Sequence, residues 1–292
     1  MIRLCFVIRH AAPIRANESS VGSLAVSGLY GIRHGPRGPW WLPVALPPMT
    51  LLPTGGPVPA GVLTSLLPPQ VTAVDTFHDS AGPHDGGARL LFPEEEALVA
   101  AAVAKRRHEF TTVRHCARTA LASFGLPPAP VLPGPRGAPR WPDGMVGSLT
   151  HCAGYRAAAV ARDTTVAALG IDAEPAEPLR DEGVLKLVTL ADERTALRAL
   201  AAHRPGVPWD RLLFSAKESV YKAWSPLTGR WLGFHDARVT LRPDGTFTAD
   251  LLVPGTTRAG TTLTGFDGRW QVRDGLAVTA VTVPPEHGAR TA

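Results

Sequence analysis

Two carboxylates at i and i+2, Asp172 and Glu174, close an apolar, β-compatible run that starts at Val166, and a third, Glu218, lies between Lys217 and Lys222 in the stretch from Leu213 to Trp224. In a strand alternate side chains point the same way, so Asp172 and Glu174 project together, about 6–7 Å apart along the chain, with Ile171 and Ala173 on the other face. Pro175 prevents continuation as a central strand. Leu213, Ala216, Val220, Ala223 and Trp224 recur at the spacing that gathers one helix face for burial. At about 100° per residue Glu218 and Lys222 fall opposite that face, one turn apart, with Lys217 on the flank. Each group has a plain account: a solvated strand end or helix cap for Asp172 and Glu174, and a surface pair worth about 0.2–0.5 kcal/mol for Glu218 and Lys222. Together the three acids make a hard-oxygen site suited to a magnesium ion that keeps water and meets substrate phosphates, with lysines serving the same phosphates.

A basic constellation lies upstream. Lys105, Arg106, Arg107, Arg114 and Arg118 stand against Glu109 alone in a helical pattern. That is either a solvated face or a phosphate clamp, because each guanidinium presents a fixed fork matched to phosphate oxygens. Ser148, Thr150 and His151 end a strand-like run and offer groups that hydrogen-bond phosphate oxygens; a lone histidine there is otherwise packed or solvated. The loop from Pro127 to Pro142 carries Arg136, which is either on a solvent-exposed turn or near a ligand.

The pattern Gly170-Ile171-Asp172-Ala173-Glu174, followed by Ala216-Lys217-Glu218-Ser219 and Tyr221-Lys222, resembles the two signature motifs of phosphopantetheinyl transferases of the Sfp/EntD type. Lys105-Arg106-Arg107, Glu109-Phe110, the run from Thr112 to Arg118, Trp141-Pro142-Asp143-Gly144 and the run from Gly147 to Cys152 are similar to actinobacterial members. The resemblance covers about residues 60 to 283, and motifs combined in order are far more specific than any one alone. It implies an α+β fold of two pseudo-symmetric halves with coenzyme A in the cleft between them. It also implies transfer of 4'-phosphopantetheine to a serine of an apo acyl or peptidyl carrier protein, with release of adenosine 3',5'-bisphosphate. Mg2+ is expected on Asp172, Glu174 and Glu218. Glu218 is expected to take the serine proton, and Lys222 and Lys217 to sit against the phosphates. The resemblance assigns Arg106 and Arg114 to the 3'-phosphate of coenzyme A; Arg107 competes with Arg106, since seven residues place it on nearly the same helical face as Arg114. Thr150, His151 and, more loosely, Arg136 complete the expected coenzyme A contacts. The carboxylate site alone would also serve a magnesium-dependent nucleotide or pyrophosphate hydrolase, and a non-catalytic coenzyme A or carrier-binding module is a third reading, opposed by the intact acidic and lysine set.

The elements that must position these groups follow from pattern. A short strand is expected from Val71 to Phe77, a polar loop from His78 to Gly87, and a helix opening at Pro93 with Glu94, Glu95 and Glu96 at its positive end, running with a break to Phe124. Met145 to Thr150 reads as a strand, and Ala157 to Ala161 with Val166 to Asp172 as a hairpin. Leu179 to Ala202 is helical in pattern with an interruption at Thr189 to Glu193, and Asp210 is placed as the cap of the signature helix. Trp231 to Phe234, Ala237 to Leu241, Thr246 to Leu252, Thr261 to Gly265, Gly268 to Val272 and Leu276 to Val283 are strand-like.

At 292 residues and 45% hydrophobic the chain can bury one large or two moderate cores. The expected organisation is a Pro/Gly-rich, disordered extension over residues 1–60, a nucleotide-binding half over 61–165, a metal-binding half over 166–284 and a tail over 285–292. Residues 1–48 hold five arginines against Glu18 alone, a net of +4 out of +5 for the chain, so global basicity does not argue for nucleic acid. That leader is expected to be a dispensable upstream extension, Met49 being an alternative start; a membrane or partner-binding arm is the rival account. Cys5, Cys116 and Cys152 fit neither a disulfide framework nor a zinc site. No stretch approaches the roughly 20 apolar residues of a membrane span. A cytoplasmic monomer, in contact with neither membrane nor nucleic acid, is the expectation.

Overall fold

The computed structural model describes residues 61–79, 84–85 and 88–285. The expected disordered leader, the Met49 start, most of the 78–87 loop and the tail beyond 285 lie outside the described residues.

Among the described residues the chain forms two antiparallel sheets, a short strand pair and five α-helices. Strands β1 (Thr72–Thr76), β4 (Met145–Cys152) and β5 (Tyr155–Arg162) make the first sheet in the order β1-β5-β4. Between β1 and β4 come a two-residue pair, β2 (His84–Asp85) and β3 (Ala88–Arg89), then α1 (Pro93–Val99) and α2 (Ala104–Ala122). The second sheet, β6-β10-β9-β8-β7, is built from β6 (Ala168–Pro175), β7 (Ala237–Leu241), β8 (Thr246–Thr256), β9 (Thr262–Arg273) and β10 (Leu276–Val283). Helices α3 (Glu182–Val188), α4 (Ala191–His203) and α5 (Trp209–Thr228) fall between β6 and β7. Helix α2 packs on β5 and β1, and α5 on β6 and β10, so the layers run helix, sheet, sheet, helix. Between the sheets, Ala157, Ala159 and Ala161 of β5 meet Leu169, Ile171 and Ala173 of β6 and Val278 and Ala280 of β10. Strand β5 is packed on both faces, which favours its run of small side chains despite alanine's modest strand preference.

The expected β5–β6 hairpin does not form. Arg162 to Val166 does make a tight turn, but β5 pairs with β4 and β1, while among the described residues β6 pairs only with β10. The turn carries the chain from one sheet to the other, and the true hairpin is β4–β5 around Ala153-Gly154. What joins the sheets is a side-chain seam: the Ile171 amide donates to Ser148 Oγ and the Ala173 amide to Thr150 Oγ1, each at 3.1 Å. Hydroxyls of β4 thus stand where ladder carbonyls would, and alternate amides of β6 are satisfied across the junction. Gly170 serves the other side of β6: a Cβ there would lie 1.9 Å from the Ser219 carbonyl oxygen of α5.

Other departures are local. Trp231 to Phe234 forms no strand, and the two runs expected from Thr261 to Val272 are one continuous strand, β9. Asp210 lies inside α5; its carboxylate accepts the amides of Leu179 and Arg211, which ties the helix start to the segment before α3.

The two halves share a fastening. Glu95, in the first turn of α1, accepts the amides of Phe92 and Val131 and pairs with Arg118 of α2 at 2.9 Å. Glu193, in the first turn of α4, accepts the amides of Leu190 and Val239 and pairs with Lys217 of α5 at 2.8 Å. All four charged side chains are buried, each charge opposite its counter-charge.

Candidate active site

Helix α5 is buried far beyond one stripe; Ser215, Lys217, Glu218 and Ser219 are all inside. Buried polar groups need partners. Ser215 bonds Thr279 of β10, Ser219 returns its hydroxyl to Ala216, and Lys217 binds Glu193 and the Phe234 carbonyl at 2.6 Å. Lys217, expected beside phosphates, is therefore turned toward α4 and β7, and its ammonium completes the fastening of the second half. The flank position assigned to it from helical spacing holds, but the flank is covered by protein.

Glu218 faces β6 instead. Asp172 and Glu174 lie on the β6 face that meets α5; Asp172 is in register with Thr279 and Glu174 with Ala277 of β10. Burial first, then the Asp172 charge, lifts the Glu218 carboxyl to about 8, against the pull of Lys222; Glu174 adds to the lift. The same two causes raise Glu174 to about 7, opposed by Arg211 and Lys222. Three acids in mutual repulsion are thus held in one buried place. Lys222 Nζ sits 2.7 Å from Asp172 Oδ1 and 2.9 Å from the Ile171 carbonyl, and Arg211 Nη1 3.0 Å from Glu174 Oε2. Thr150 Oγ1 donates to Asp172 Oδ1 at 3.3 Å from across the seam.

With Lys222 on Asp172 and Arg211 on Glu174, no three acids, imidazoles or thiols among the described residues are grouped tightly enough to hold an ion as they stand. The donor set nevertheless fits a hard divalent cation. It is all oxygen, it is destabilised by its own charge, and Asp172 Oδ2 is buried with no hydrogen-bond partner among the described residues.

Across the seam lies the basic constellation. His151, at the end of β4, accepts a hydrogen bond from Arg106 Nη1 on Nε2 at 3.0 Å. A guanidinium only donates, so the imidazole is neutral with its hydrogen on Nδ1. Burial, then the charges of Arg106, Arg156, Lys222 and Arg114, push its pKa down to about 3. Arg107 is exposed on α2, so of the two competing arginines it is Arg106 that stands with His151. Arg114 is buried, its guanidinium 3.2 Å from the Phe110 ring centroid and its Nε donating to the Val131 carbonyl; burial foremost lowers it to about 9. Arg136 is apart from this group. It occupies a left-handed turn position at φ 55° and donates to the Gly229 carbonyl at the end of α5. Cys116 is packed in the α2 core, where burial raises its thiol to about 12, and is no nucleophile.

Five residues near these groups have contacts that no sequence pattern assigns. Arg211 lies seven residues before Glu218, on the same face of α5, and that spacing was the available signal. Arg156 is the buried cation of the small-residue strand β5; it reaches Asp79 at 2.7 Å and Glu109 at 3.7 Å. A charge in a run destined for burial marks a network. Glu109 was noted only as the lone acid among bases. Tyr221 and Trp231 pair with ring centroids 5.0 Å apart beside α5, a contact no spacing announces.

Residues 94–161 match the family described as the 4'-phosphopantetheinyl transferase N-terminal domain, and residues 168–280 the 4'-phosphopantetheinyl transferase superfamily. The chain is 58% identical over 228 residues to the 4'-phosphopantetheinyl transferase Svp of Streptomyces mobaraensis, covering 78% of this chain and 91% of that one. It is 48% identical over 236 residues to the 4'-phosphopantetheinyl transferase PptT of Mycobacterium tuberculosis, covering 79% of this chain and 100% of that one. Enterobactin synthase component D of Salmonella typhimurium is more distant, 35% identical over 153 residues, 52% of this chain and 61% of that one.

Proposed function

The chain belongs to the 4'-phosphopantetheinyl transferase superfamily, and from that premise we propose how its own residues transfer 4'-phosphopantetheine from coenzyme A to a serine of an apo carrier protein. The observation that carries the assignment is the seam between the sheets. On one side β6 and α5 gather Asp172, Glu174, Glu218 and Lys222, and on the other β4 and α2 present Thr150, His151 and Arg106.

Asp172, Glu174 and Glu218 would hold Mg2+, which supplies polarisation of the pyrophosphate and offsets charge on the leaving oxygen. Lys222, a mobile point charge now resting on Asp172, moves to the substrate phosphates. Arg106, with His151 and the Thr150 hydroxyl, holds the 3'-phosphate end of coenzyme A, and Arg114 adds positive potential from behind. Arg136, held on the Gly229 carbonyl at the end of α5, is assigned at most an outer contact with coenzyme A. Glu218 takes the proton as the carrier serine oxygen attacks the phosphorus next to pantetheine. The bond to the bridging pyrophosphate oxygen breaks, and adenosine 3',5'-bisphosphate leaves.

The division into a nucleotide-binding half up to residue 165 and a metal-binding half beyond it is part of the same proposal, as are a monomeric state and a cytoplasmic location. No helix among the described residues is long and apolar enough to cross a membrane, and neither Cys116 nor Cys152 is in a disulfide among the described residues. Fatty-acid, polyketide, nonribosomal-peptide and siderophore carriers all satisfy the chemistry. The test is intact-mass measurement of an apo carrier incubated with the protein, coenzyme A and Mg2+. One phosphopantetheine per carrier is expected, and none on a carrier whose serine is alanine. Coenzyme A cleaved without any carrier would overturn the transfer and favour a pyrophosphate hydrolase.

A further inference from the structure

Glu109 has no place in the chemistry above, yet it is buried in α2 at the centre of a charged cluster. Its Oε2 lies 3.8 Å from Arg106 Nη1 and 3.8 Å from His151 Nδ1, and its Oε1 lies 3.7 Å from Arg156 Nη2. Arg156 is in turn anchored by Asp79 at 2.7 Å and by the carbonyls of Cys152 and Tyr155. Because Arg106 occupies His151 Nε2, the imidazole hydrogen is on Nδ1, the nitrogen that faces Glu109. One carboxylate therefore faces both groups proposed to hold the 3'-phosphate and the buried cation Arg156. Without it, Arg106 and Arg156 would repel across a neutral imidazole, and nothing of opposite charge on α2 would orient the Arg106 fork.

We propose that Glu109 is a positioning residue that fixes Arg106 and His151 in the geometry that distinguishes a 3'-phosphorylated nucleotide from one lacking that phosphate. The inference rests on the proposed role of Arg106 and His151 at the 3'-phosphate. It assigns Glu109 no contact with substrate: the residue acts through its neighbours, and its effect is confined to ligands that carry the 3'-phosphate.

The experiment compares coenzyme A with 3'-dephospho-coenzyme A, each with an apo acyl carrier protein and Mg2+, for the wild type, Glu109→Gln, Glu109→Asp and Arg106→Ala. Glu109→Gln is expected to raise KM for coenzyme A about tenfold, the worth of one charge-assisted contact. Its KM for the dephospho compound and kcat on both substrates should stay within about twofold of wild type. Glu109→Asp, which keeps the charge, should recover part of the loss. Arg106→Ala should also lose the preference for the 3'-phosphate. If Arg106→Ala loses the preference and both Glu109 variants keep it, the positioning role is overturned while the phosphate site stands. If Arg106→Ala keeps the preference, the site assignment falls and the positioning role with it. Equal losses of Glu109→Gln on both substrates would show a merely structural residue and overturn the proposal. Should Glu109→Gln not fold, the same split read on Glu109→Asp, with binding of adenosine 3',5'-bisphosphate against AMP, decides the question.

Discussion

Replacing Gly170 by alanine tests the placement of the acids most directly. The new Cβ would stand 1.9 Å from the Ser219 carbonyl oxygen, 2.9 Å from its carbon and 3.0 Å from the Ala223 amide nitrogen. These are backbone atoms of α5 and cannot rotate away. Ordinary carbon contacts begin near 3.4–3.5 Å, so the helix must retreat from β6 by about 1.5 Å at this point. Overpacking of this kind costs about 1–3 kcal/mol, which lowers Tm by about 2–10 °C in a protein of this size. The larger effect falls on function. Ser219 directly follows Glu218 and Ala223 directly follows Lys222, so the retreat opens the gap between those side chains and Asp172. A misplacement of about 1 Å costs on the order of a hundredfold in rate. Carrier-modification kinetics and thermal melts of Gly170→Ala are therefore expected to show turnover reduced by about two orders of magnitude with only moderate loss of stability. Wild-type turnover in a folded variant would refute the claim that the contact of α5 with β6 sets the site.

In the metal-free protein near neutral pH Glu218 must take up a proton on folding and glutamine need not, so Glu218→Gln is expected to raise Tm there, keep coenzyme A binding by calorimetry, and lose about a hundredfold or more of transfer. In the metal-free protein Glu174 and Glu218 have folded-state pKa values of about 7 and about 8 against 4.5 when unfolded, so the folded state binds more protons between these limits and stability falls as pH rises from about 4.5 to about 8. Added Mg2+ should restore Tm more at pH 8 than at pH 6; a Tm insensitive to pH in that window would count against the clustering. Lys217→Ala leaves Glu193 as an unpaired buried charge, at a cost of about 3–5 kcal/mol in urea unfolding. At temperatures where the variant is folded, KM for coenzyme A should be unchanged within about twofold; a large rise would return Lys217 to the phosphates.

Local pattern made the acids legible. The period-two placement of Asp172 and Glu174 and the helical face of Glu218 and Lys222 require only backbone geometry, and both hold in the fold. Pairing between strands was less legible: the turn after β5 looks in sequence like any hairpin, and only the sheet partners of β6 decide where it leads. The direction of Lys217 depended on a carboxylate 24 residues earlier, and Arg211 and Arg156 on partners 37 and 77 residues away. Such contacts leave no periodic trace. A cation in a buried run shows that a partner must exist, without saying which.

The matching anchorage of Glu95 and Glu193 bears on how the two halves came to do different work. Each acid ties the start of one helix, the long helix beside it and one further backbone amide into a knot. Three attachments are enough to set a long helix against its sheet, which leaves the other faces of each half free to differ, arginines and a histidine on one and three carboxylates on the other. Kinship between the halves is thus kept in the joinery, where a comparison of their letters finds little.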